Sequence, residues 1–185
     1  MNKVALRNKF NEVRNKTSDK ELKSKQIANK VMELEAYKKA RVIALYASLP
    51  CEVDTYILIT QSLITGKTVA LPKVIRNTEL KFYSINSYEE LNTIGAFGIK
   101  EPSYNIDTFI PAENIDLIIV PGICFDSSRN RIGFGKGYYD KYMSGDFKVT
   151  KIGICFDEQV LKNECIPIDE FDVKMDMVIT DKLTY

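Results

Sequence analysis

The segment from Asn130 to Tyr142, NRIGFGKGYYDKY, combines alternating glycines with cations, tyrosines and a carboxylate. The glycines are Gly133, Gly135 and Gly137. Each can adopt positive φ and bring backbone amides close to a ligand, as in anion-binding nests. Arg131 and Lys136 add full positive charges beside those amides. The segment therefore predicts a phosphate-binding loop, although a flexible loop or a bulged hairpin has the same glycine spacing and neither standard nucleotide-binding motif matches it.

Two carboxylates are candidates for binding Mg²⁺ beside this loop. Asp140 follows the glycines directly, and Asp176 lies in DVKMDMVIT at the start of an apolar stretch. Mg²⁺ keeps several waters and needs only one or two protein oxygens when phosphate is present. Each aspartate alone also fits a helix or turn cap, so the metal interpretation depends on the phosphate loop.

Three further polar residues have spacings that suit ligand binding. Lys3 and Arg7 are four residues apart on a predicted helix, so they project from one face and could clasp a polyphosphate. A solvated basic face has the same spacing. Glu52, in YASLPCEVDT, could accept hydrogen bonds from a polar ligand edge or serve as an acid at a helix start.

The composition excludes several kinds of chemistry. The 185 residues contain no histidine, which rules out a His-dependent triad or an imidazole general base. The four cysteines form no C-x-x-C pair, so a structural zinc site is not expected. With 26 basic and 25 acidic residues, no global field attracts nucleic acid or an anionic membrane. The polar amino terminus and the lack of a long apolar run favour a cytoplasmic protein.

Alternating strands and helices are predicted to position these residues. The first ~36 residues predict two amphipathic helices, the second after a capping box from Ser18 to Glu21. Strands are predicted at 41–46, 67–72, 80–85, 116–121, 151–156 and 175–180, and helices at 54–66 and 138–143. This alternation implies a single three-layer α/β/α domain over residues 1–185 with a mostly parallel, Rossmann-like sheet. In such sheets ligands bind beyond the carboxyl ends of the strands, where the glycine segment is expected.

The sequence PGICFDSSRNRIGFGKGYYDKY closely resembles the signature of the 5-formyltetrahydrofolate cyclo-ligase family. KVALR, YASLPCEVDT, GKTVALPKV, LKFYSI, GAFGIKEP and MDMVIT also stand in the order expected for that family. The resemblance implies ATP- and Mg²⁺-dependent closure of 5-formyltetrahydrofolate to 5,10-methenyltetrahydrofolate, with release of ADP and phosphate. In this reaction the formyl oxygen attacks the γ-phosphate and N10 then displaces phosphate, which demands positioning and charge neutralisation but no histidine.

The resemblance also implies roles for individual residues. The expected ATP contacts are Lys3, Val4, Ala5, Leu6, Arg7, Arg131, Ile132, Gly133, Phe134, Gly135, Lys136, Gly137, Tyr138 and Tyr139. The expected folate contacts are Ala47, Glu52, Phe134, Gly135, Lys136, Gly137 and Tyr138. Asp140 and Asp176 match the magnesium carboxylates, and Lys136 and Arg131 are the predicted catalytic residues.

Two positions depart from the family pattern. Phe171 precedes Asp172 where many members carry histidine, and Phe134 stands where others have tyrosine or arginine. The ring of Phe134 could still stack on a pterin or an adenine.

The alternative function is a non-catalytic nucleotide- or folate-binding protein on the same scaffold. We expect an enzyme with a small-molecule substrate, no nucleic-acid or membrane partner, and a monomeric state; a sugar-phosphate isomerase is disfavoured because it needs no ATP clasp.

Overall fold

The computed structural model of the protein describes residues 1–75, 79–91, 93–95 and 98–185. The helices are α1 (Lys3–Lys16), α2 (Lys20–Glu33), α3 (Glu35–Lys39), α4 (Tyr56–Ile64) and α5 (Tyr138–Met143). The strands are β1 (Val42–Ala44), β2 (Thr68–Ile75), β3 (Glu79–Ile85), β4 (Thr93–Ile94), β5 (Lys100–Glu101), β6 (Phe109–Ile110), β7 (Leu117–Val120), β8 (Cys124–Asp126), β9 (Arg131–Ile132), β10 (Thr150–Ile154), β11 (Val160–Leu161) and β12 (Met177–Ile179). None of the helices in these ranges is long and apolar enough to cross a membrane.

The central sheet has the strand order β12-β10-β7-β1-β2-β3-β6. The pairs from β12 to β2 are parallel, whereas β2 with β3 and β3 with β6 are antiparallel. The predicted mostly parallel α/β sheet is therefore confirmed, and its antiparallel edge comes from the hairpin of β2 and β3. β2 continues past the predicted end at residue 72 to Ile75, because its last residues pair with β3.

The central strand β7 shows why the fold has three layers. All four of its residues are buried, as predicted for a strand that is covered on both faces. Leu117 and Ile119 pack in one core with residues of α2 and α4. Ile118 and Val120 pack in a second core on the opposite face, which includes Met143 of α5. The alternation of side chains along the strand divides the interior into these two cores.

Helix α1 packs away from the main cores, on a small sheet of order β11-β8-β9. Leu6 and Phe10 are buried there against Ile123 and Ile132. This packing places the apolar face of α1 on the strands that flank the glycine segment. Lys3 and Arg7, which border this apolar stripe, therefore lie beside that segment.

Some local predictions were wrong. Helix α2 begins at Lys20, its preceding residue Asp19 has φ of 54°, and no side-chain capping bond forms, so the predicted box from Ser18 is absent. Short elements such as α3 and β9 were not predicted, because a few residues show no periodicity. The segment GAFGIKEPS contains β5, and its residues 96 and 97 lie outside the described ranges.

Candidate active site

A cavity of about 310 Å³ lies at the carboxyl edge of the parallel strands. Tyr46 and Ala47, just beyond the end of β1, line it, and so does Pro121, which directly follows β7. The ligand site was predicted at this edge, and residues of the glycine segment line the cavity there.

Most of the predicted site residues line this cavity. They are Lys3, Arg7, Ala47, Glu52, Arg131, Ile132, Gly133, Phe134, Gly135, Lys136, Gly137, Tyr138, Tyr139 and Asp140. Val4, Ala5 and Leu6 do not line it: the helical period turns Ala5 to the far side of the helix, and Leu6 packs on the small sheet. Leu6 is buried under α1 and Val4 is exposed. Contact with a cavity ligand from this helix is thus available to Lys3 and Arg7.

The glycine segment packs closely against two arginines. Nε of Arg7 donates a hydrogen bond to the carbonyl oxygen of Gly133 at 2.9 Å. Gly135 has φ of 92°, and a Cβ there would lie 3.4 Å from Cζ of Arg7. A Cβ on Gly133 would lie 2.7 Å from Nη1 of Arg131. Gly135 therefore suits the positive φ of the loop, and Gly133 leaves room for the guanidinium of Arg131.

Arg131 and Asp140 form an ion pair in the wall of the cavity. Nη2 of Arg131 donates to Oδ2 of Asp140 at 2.7 Å, and Nη1 donates to the carbonyl oxygen of Pro121 at 3.3 Å. Oδ1 of Asp140 accepts from the backbone N–H of Val173 at 3.3 Å. The side chain of Arg131 is 4% exposed and that of Asp140 is 20% exposed. Arg131 is thus a buried partner of Asp140 rather than a free cation.

Lys136 and Lys3 are the ammonium groups of the cavity. Lys136 is exposed, and no described residue forms a hydrogen bond or ion pair with its side chain. Nζ of Lys3 donates to Asp169 at 2.6 Å and also to Asp172. Partial burial lowers the pKa of Lys3, but these two carboxylates together raise it above its ordinary value. Lys3 therefore stays protonated. Its acidic neighbours, Asp169 and Asp172, were not predicted from the sequence.

Glu52 is a buried carboxylate that lines the cavity. Its Oε2 accepts from the backbone N–H of Leu49 at 2.9 Å, and its Oε1 lies 3.7 Å from Nη1 of Arg14. Burial raises the pKa of Glu52, although this hydrogen bond and the charge of Arg14 oppose the rise. The hydroxyl of Tyr139 is buried without a hydrogen-bond partner among the described residues. Burial and the charge of Glu52 raise the pKa of Tyr139, so its hydroxyl stays protonated and can donate a hydrogen bond.

Asp176 lies outside the cavity. Its Oδ2 accepts from the backbone N–H of Lys151 at 2.7 Å and lies 3.3 Å from Nζ of that lysine. Asp176 precedes β12, at the amino end of a parallel strand, whereas the cavity is at the carboxyl end. The structure thus does not bring Asp176 and Asp140 together in the cavity, and the role of Asp176 as a magnesium ligand stays a prediction.

Several lining residues were not predicted. They are Tyr46, Pro72, Val74, Leu80, Ile99, Glu101, Pro121, Asp169 and Asp172. Leu80 and Val74 pair with each other in the β2–β3 hairpin, and the hairpin is joined to the rest of the sheet by the pairing of β2 with β1. Asp169 and Asp172 could have been suspected as carboxylates in the closing segment, but no local pattern links them to Lys3.

The cavity offers few protein oxygens for binding Mg²⁺. Among the described residues, no group of three or more cysteines and acids could enclose a metal ion. Asp140 is partly exposed and lines the cavity together with Lys3, Arg7 and Lys136. Mg²⁺ commonly binds one or two carboxylates together with substrate phosphates and water. Asp140 alone therefore fits that mode, provided that phosphate supplies further oxygens.

The fold and this cavity define an α/β enzyme with a cation-lined glycine loop at the carboxyl edge of its sheet. The family model described as the 5-formyltetrahydrofolate cyclo-ligase family matches residues 1–181. The chain belongs to that family.

Individual proteins show the same relationship. The chain is 37% identical over 166 residues to the probable 5-formyltetrahydrofolate cyclo-ligase of Schizosaccharomyces pombe, covering 83% of this chain and 81% of the relative. It is similar to the NMR structure of Aquifex aeolicus 5,10-methenyltetrahydrofolate synthetase, with a TM-score of 0.84, 35% identity, and coverage of 100% and 92% of the two chains. It is also similar to the 5,10-methenyltetrahydrofolate synthetase from Mycoplasma pneumoniae, with a TM-score of 0.76, 28% identity, and coverage of 98% and 99%.

Proposed function

We propose that this chain, as a single domain over residues 1–185, closes 5-formyltetrahydrofolate to 5,10-methenyltetrahydrofolate with ATP and Mg²⁺, releasing ADP and phosphate. One observation carries the proposal. A single cavity is lined both by cations at the glycine loop and by a buried carboxylate, Glu52. The first suits a polyphosphate and the second suits the N–H groups of a pterin.

The phosphate end is assigned to the loop and to α1. Lys3 and Arg7 project from one helical face, and Lys136 extends from the loop between two glycines. Their charges would bind and neutralise phosphate oxygens during transfer to the formyl oxygen. Bound Mg²⁺ would supply further neutralisation of phosphate charge. Asp140, oriented by Arg131, is the residue that would hold it.

The folate end is assigned to Glu52 and the aromatic residues near it. A carboxylate with one backbone hydrogen bond keeps capacity to accept N–H donors from a ligand. Phe134 is 38% exposed and lines the cavity, so its ring can stack on a flat heterocycle. Fixing the formyl group and N10 near the phosphate would supply the positioning that ring closure requires.

The absorbance of methenyltetrahydrofolate tests the proposal directly. Purified protein should generate that absorbance from 5-formyltetrahydrofolate only when both ATP and Mg²⁺ are present, with one ADP released for each product. Binding of ATP or folate without product would favour the non-catalytic alternative. Neither binding nor product from a folded protein would contradict both. Residence in the cytoplasm and a monomeric state stay predictions.

A further inference from the structure

We propose that Arg14 is a positioning residue of the folate end of the cavity, because it holds both Glu52 and Phe134 from behind. The identity of the ligand in this inference rests on the function proposed above. Arg14 does not line the cavity itself. It would therefore act through these two neighbours and not by touching the ligand.

The position of Arg14 follows from the packing of α1. Lys3, Arg7 and Arg14 are separated by four and then seven residues, which places them along one face of the helix. Leu6 and Phe10 form a neighbouring stripe of the same side, and they are buried with Arg14 where the helix packs on the small sheet. Lys3 and Arg7 line the cavity, whereas Arg14, further along the helix, lies beside Glu52 and Phe134.

Arg14 contacts two separate segments of the chain. Its Nη1 lies 3.7 Å from Oε1 of Glu52, in the segment after β1. Its Cζ lies 4.9 Å from the centroid of the Phe134 ring, in the glycine loop. A guanidinium that pairs with a carboxylate and stacks on an aromatic ring fixes both orientations at once. Lysine would provide the charge but not the planar contact.

The hydrogen bonding of Arg14 is incomplete, which is unusual for a buried cation. The residue is 6% exposed, and its Nε and Nη1 are buried without hydrogen-bond partners among the described residues. Its separation from Glu52 is that of an ion pair and exceeds a normal hydrogen bond. Such a group is costly to bury, so a purely structural role would be filled better by an apolar side chain. Orienting Glu52 for a ligand accounts for its presence.

The charge of Arg14 also governs the ionisation of Glu52. The groups that face Glu52 are Arg14 from α1, Tyr139 from α5, and Tyr46 with the backbone of Leu49 from its own segment. Arg14 is the cation among these described groups, and it opposes the rise in the pKa of Glu52 that burial causes. Without Arg14 the carboxyl group would hold its proton to higher pH and lose acceptor capacity there.

Binding measurements on Arg14→Met test the inference. Arg41→Met is the matched control, because Arg41 is exposed and its side chain forms no hydrogen bond or ion pair with the described residues. For Arg14→Met we expect the dissociation constant of 5-formyltetrahydrofolate to rise about tenfold to a hundredfold. This is the effect of losing one hydrogen bond from the ligand to the charged carboxylate of Glu52. The dissociation constant of ATP should match that of Arg41→Met. The acid limb of folate binding should move to higher pH.

A second variant and a double-mutant comparison complete the test. Arg14→Gln is polar and neutral, and it replaces Arg14→Met in every measurement if the latter does not fold. In the Glu52→Gln background, loss of Arg14 should lower folate affinity less than it does in the wild type, because only its contact with Phe134 then remains to be lost. Equal behaviour of Arg14→Met and Arg41→Met, or additive effects with Glu52→Gln, would overturn the inference. So would equal weakening of both ligands with an unmoved acid limb.

Failure of the inference differs from failure of the proposed function. If the wild type binds and cyclises the folate while Arg14→Met behaves like the control, only the role of Arg14 is wrong. If the wild type neither binds nor cyclises it, the proposed function is wrong. The ligand-free protein still tests the pairing by NMR, since the side-chain carboxyl of Glu52 should titrate at higher pH in Arg14→Met than in the wild type. An unchanged titration would contradict the inference.

Discussion

Arg131 donates a hydrogen bond to Asp140 at 2.7 Å, and this ion pair joins the start of the glycine loop to the helix that follows it. The pair makes Asp140 both a candidate metal ligand and the counterion of a buried guanidinium. Function and stability are therefore coupled at this carboxylate.

We expect Asp140→Asn to reduce both turnover and stability. The amide keeps the shape but removes the charge that compensates buried Arg131, so we expect a loss of about 2 to 3 kcal/mol in the free energy of unfolding. Turnover at saturating Mg²⁺ should fall by about a hundredfold. Urea unfolding and a Mg²⁺ titration of the absorbance assay measure the two effects. Unchanged turnover at high Mg²⁺ would remove Asp140 from the metal site.

The location of Asp176 leads to the opposite expectation for Asp176→Asn. This carboxylate accepts from the backbone of Lys151 and lies outside the cavity, so its loss should cost about 1 kcal/mol of stability. The Mg²⁺ dependence of turnover should stay that of the wild type. A raised requirement for Mg²⁺ would show that Asp176 approaches the metal in the working enzyme.

Glu52→Gln should separate stability from ligand binding. Burial raises the pKa of Glu52 in the folded protein above its ordinary value of 4.5. Between these two values the native state holds a proton that the unfolded chain lacks, so wild-type stability falls as pH rises through that window. Glutamine does not titrate, so the variant should gain stability relative to wild type over the same window while losing folate affinity.

Urea unfolding of wild type and Glu52→Gln at one pH below the window and one at neutral pH checks this sign. A constant difference between the two proteins would show that Glu52 does not titrate across that range. Folate affinity, measured in parallel by calorimetry, should be lower in the variant at neutral pH.

Gly135→Ala should weaken ATP binding beyond its effect on stability. Gly135 has φ of 92°, and the added Cβ would lie in van der Waals contact with the guanidinium of Arg7, so strain at this residue would be passed to that cation. Positive φ alone costs an L residue about 1 to 2 kcal/mol. Gly66→Ala is the matched control, because Gly66 has φ of 77° and no atom within 4 Å of the added Cβ. Both variants should lose similar stability, and equal ATP affinity in both would contradict a role for the loop in nucleotide binding.

Lys136→Met tests the predicted catalytic lysine. This side chain is exposed and unpaired with the described residues, so its loss should leave the free energy of unfolding nearly unchanged. Turnover should fall by about a hundredfold if its charge stabilises the transferring phosphate. Lys25→Met, at an exposed position of α2, is the control for removing one positive charge. Equal turnover in the two variants would exclude the catalytic role.

Several features of the fold were predictable because their signals are local. The apolar run at β7 and the apolar stretch of β3 predicted strands close to the observed bounds, and the helix predicted at 138–143 has those bounds. The short strands β4, β6 and β11 were missed, since two residues carry no periodicity. β6 and β11 also pair with strands that are distant in the chain, β3 and β8. The cap of α2 was predicted at Ser18. The residue before the helix is instead Asp19, which has positive φ and makes no side-chain capping bond.

By itself, the sequence determined that this protein has a mostly parallel α/β sheet, a glycine loop rich in cations, and no histidine chemistry. Those properties depend on residue types and short spacings. Tertiary structure decided which charges meet: Asp140 with Arg131, Lys3 with Asp169 and Asp172, and Arg14 with Glu52. It also separated Asp176 from the cavity. These pairings join residues distant in the chain, or depend on how far each side chain is buried, and no local pattern encodes either.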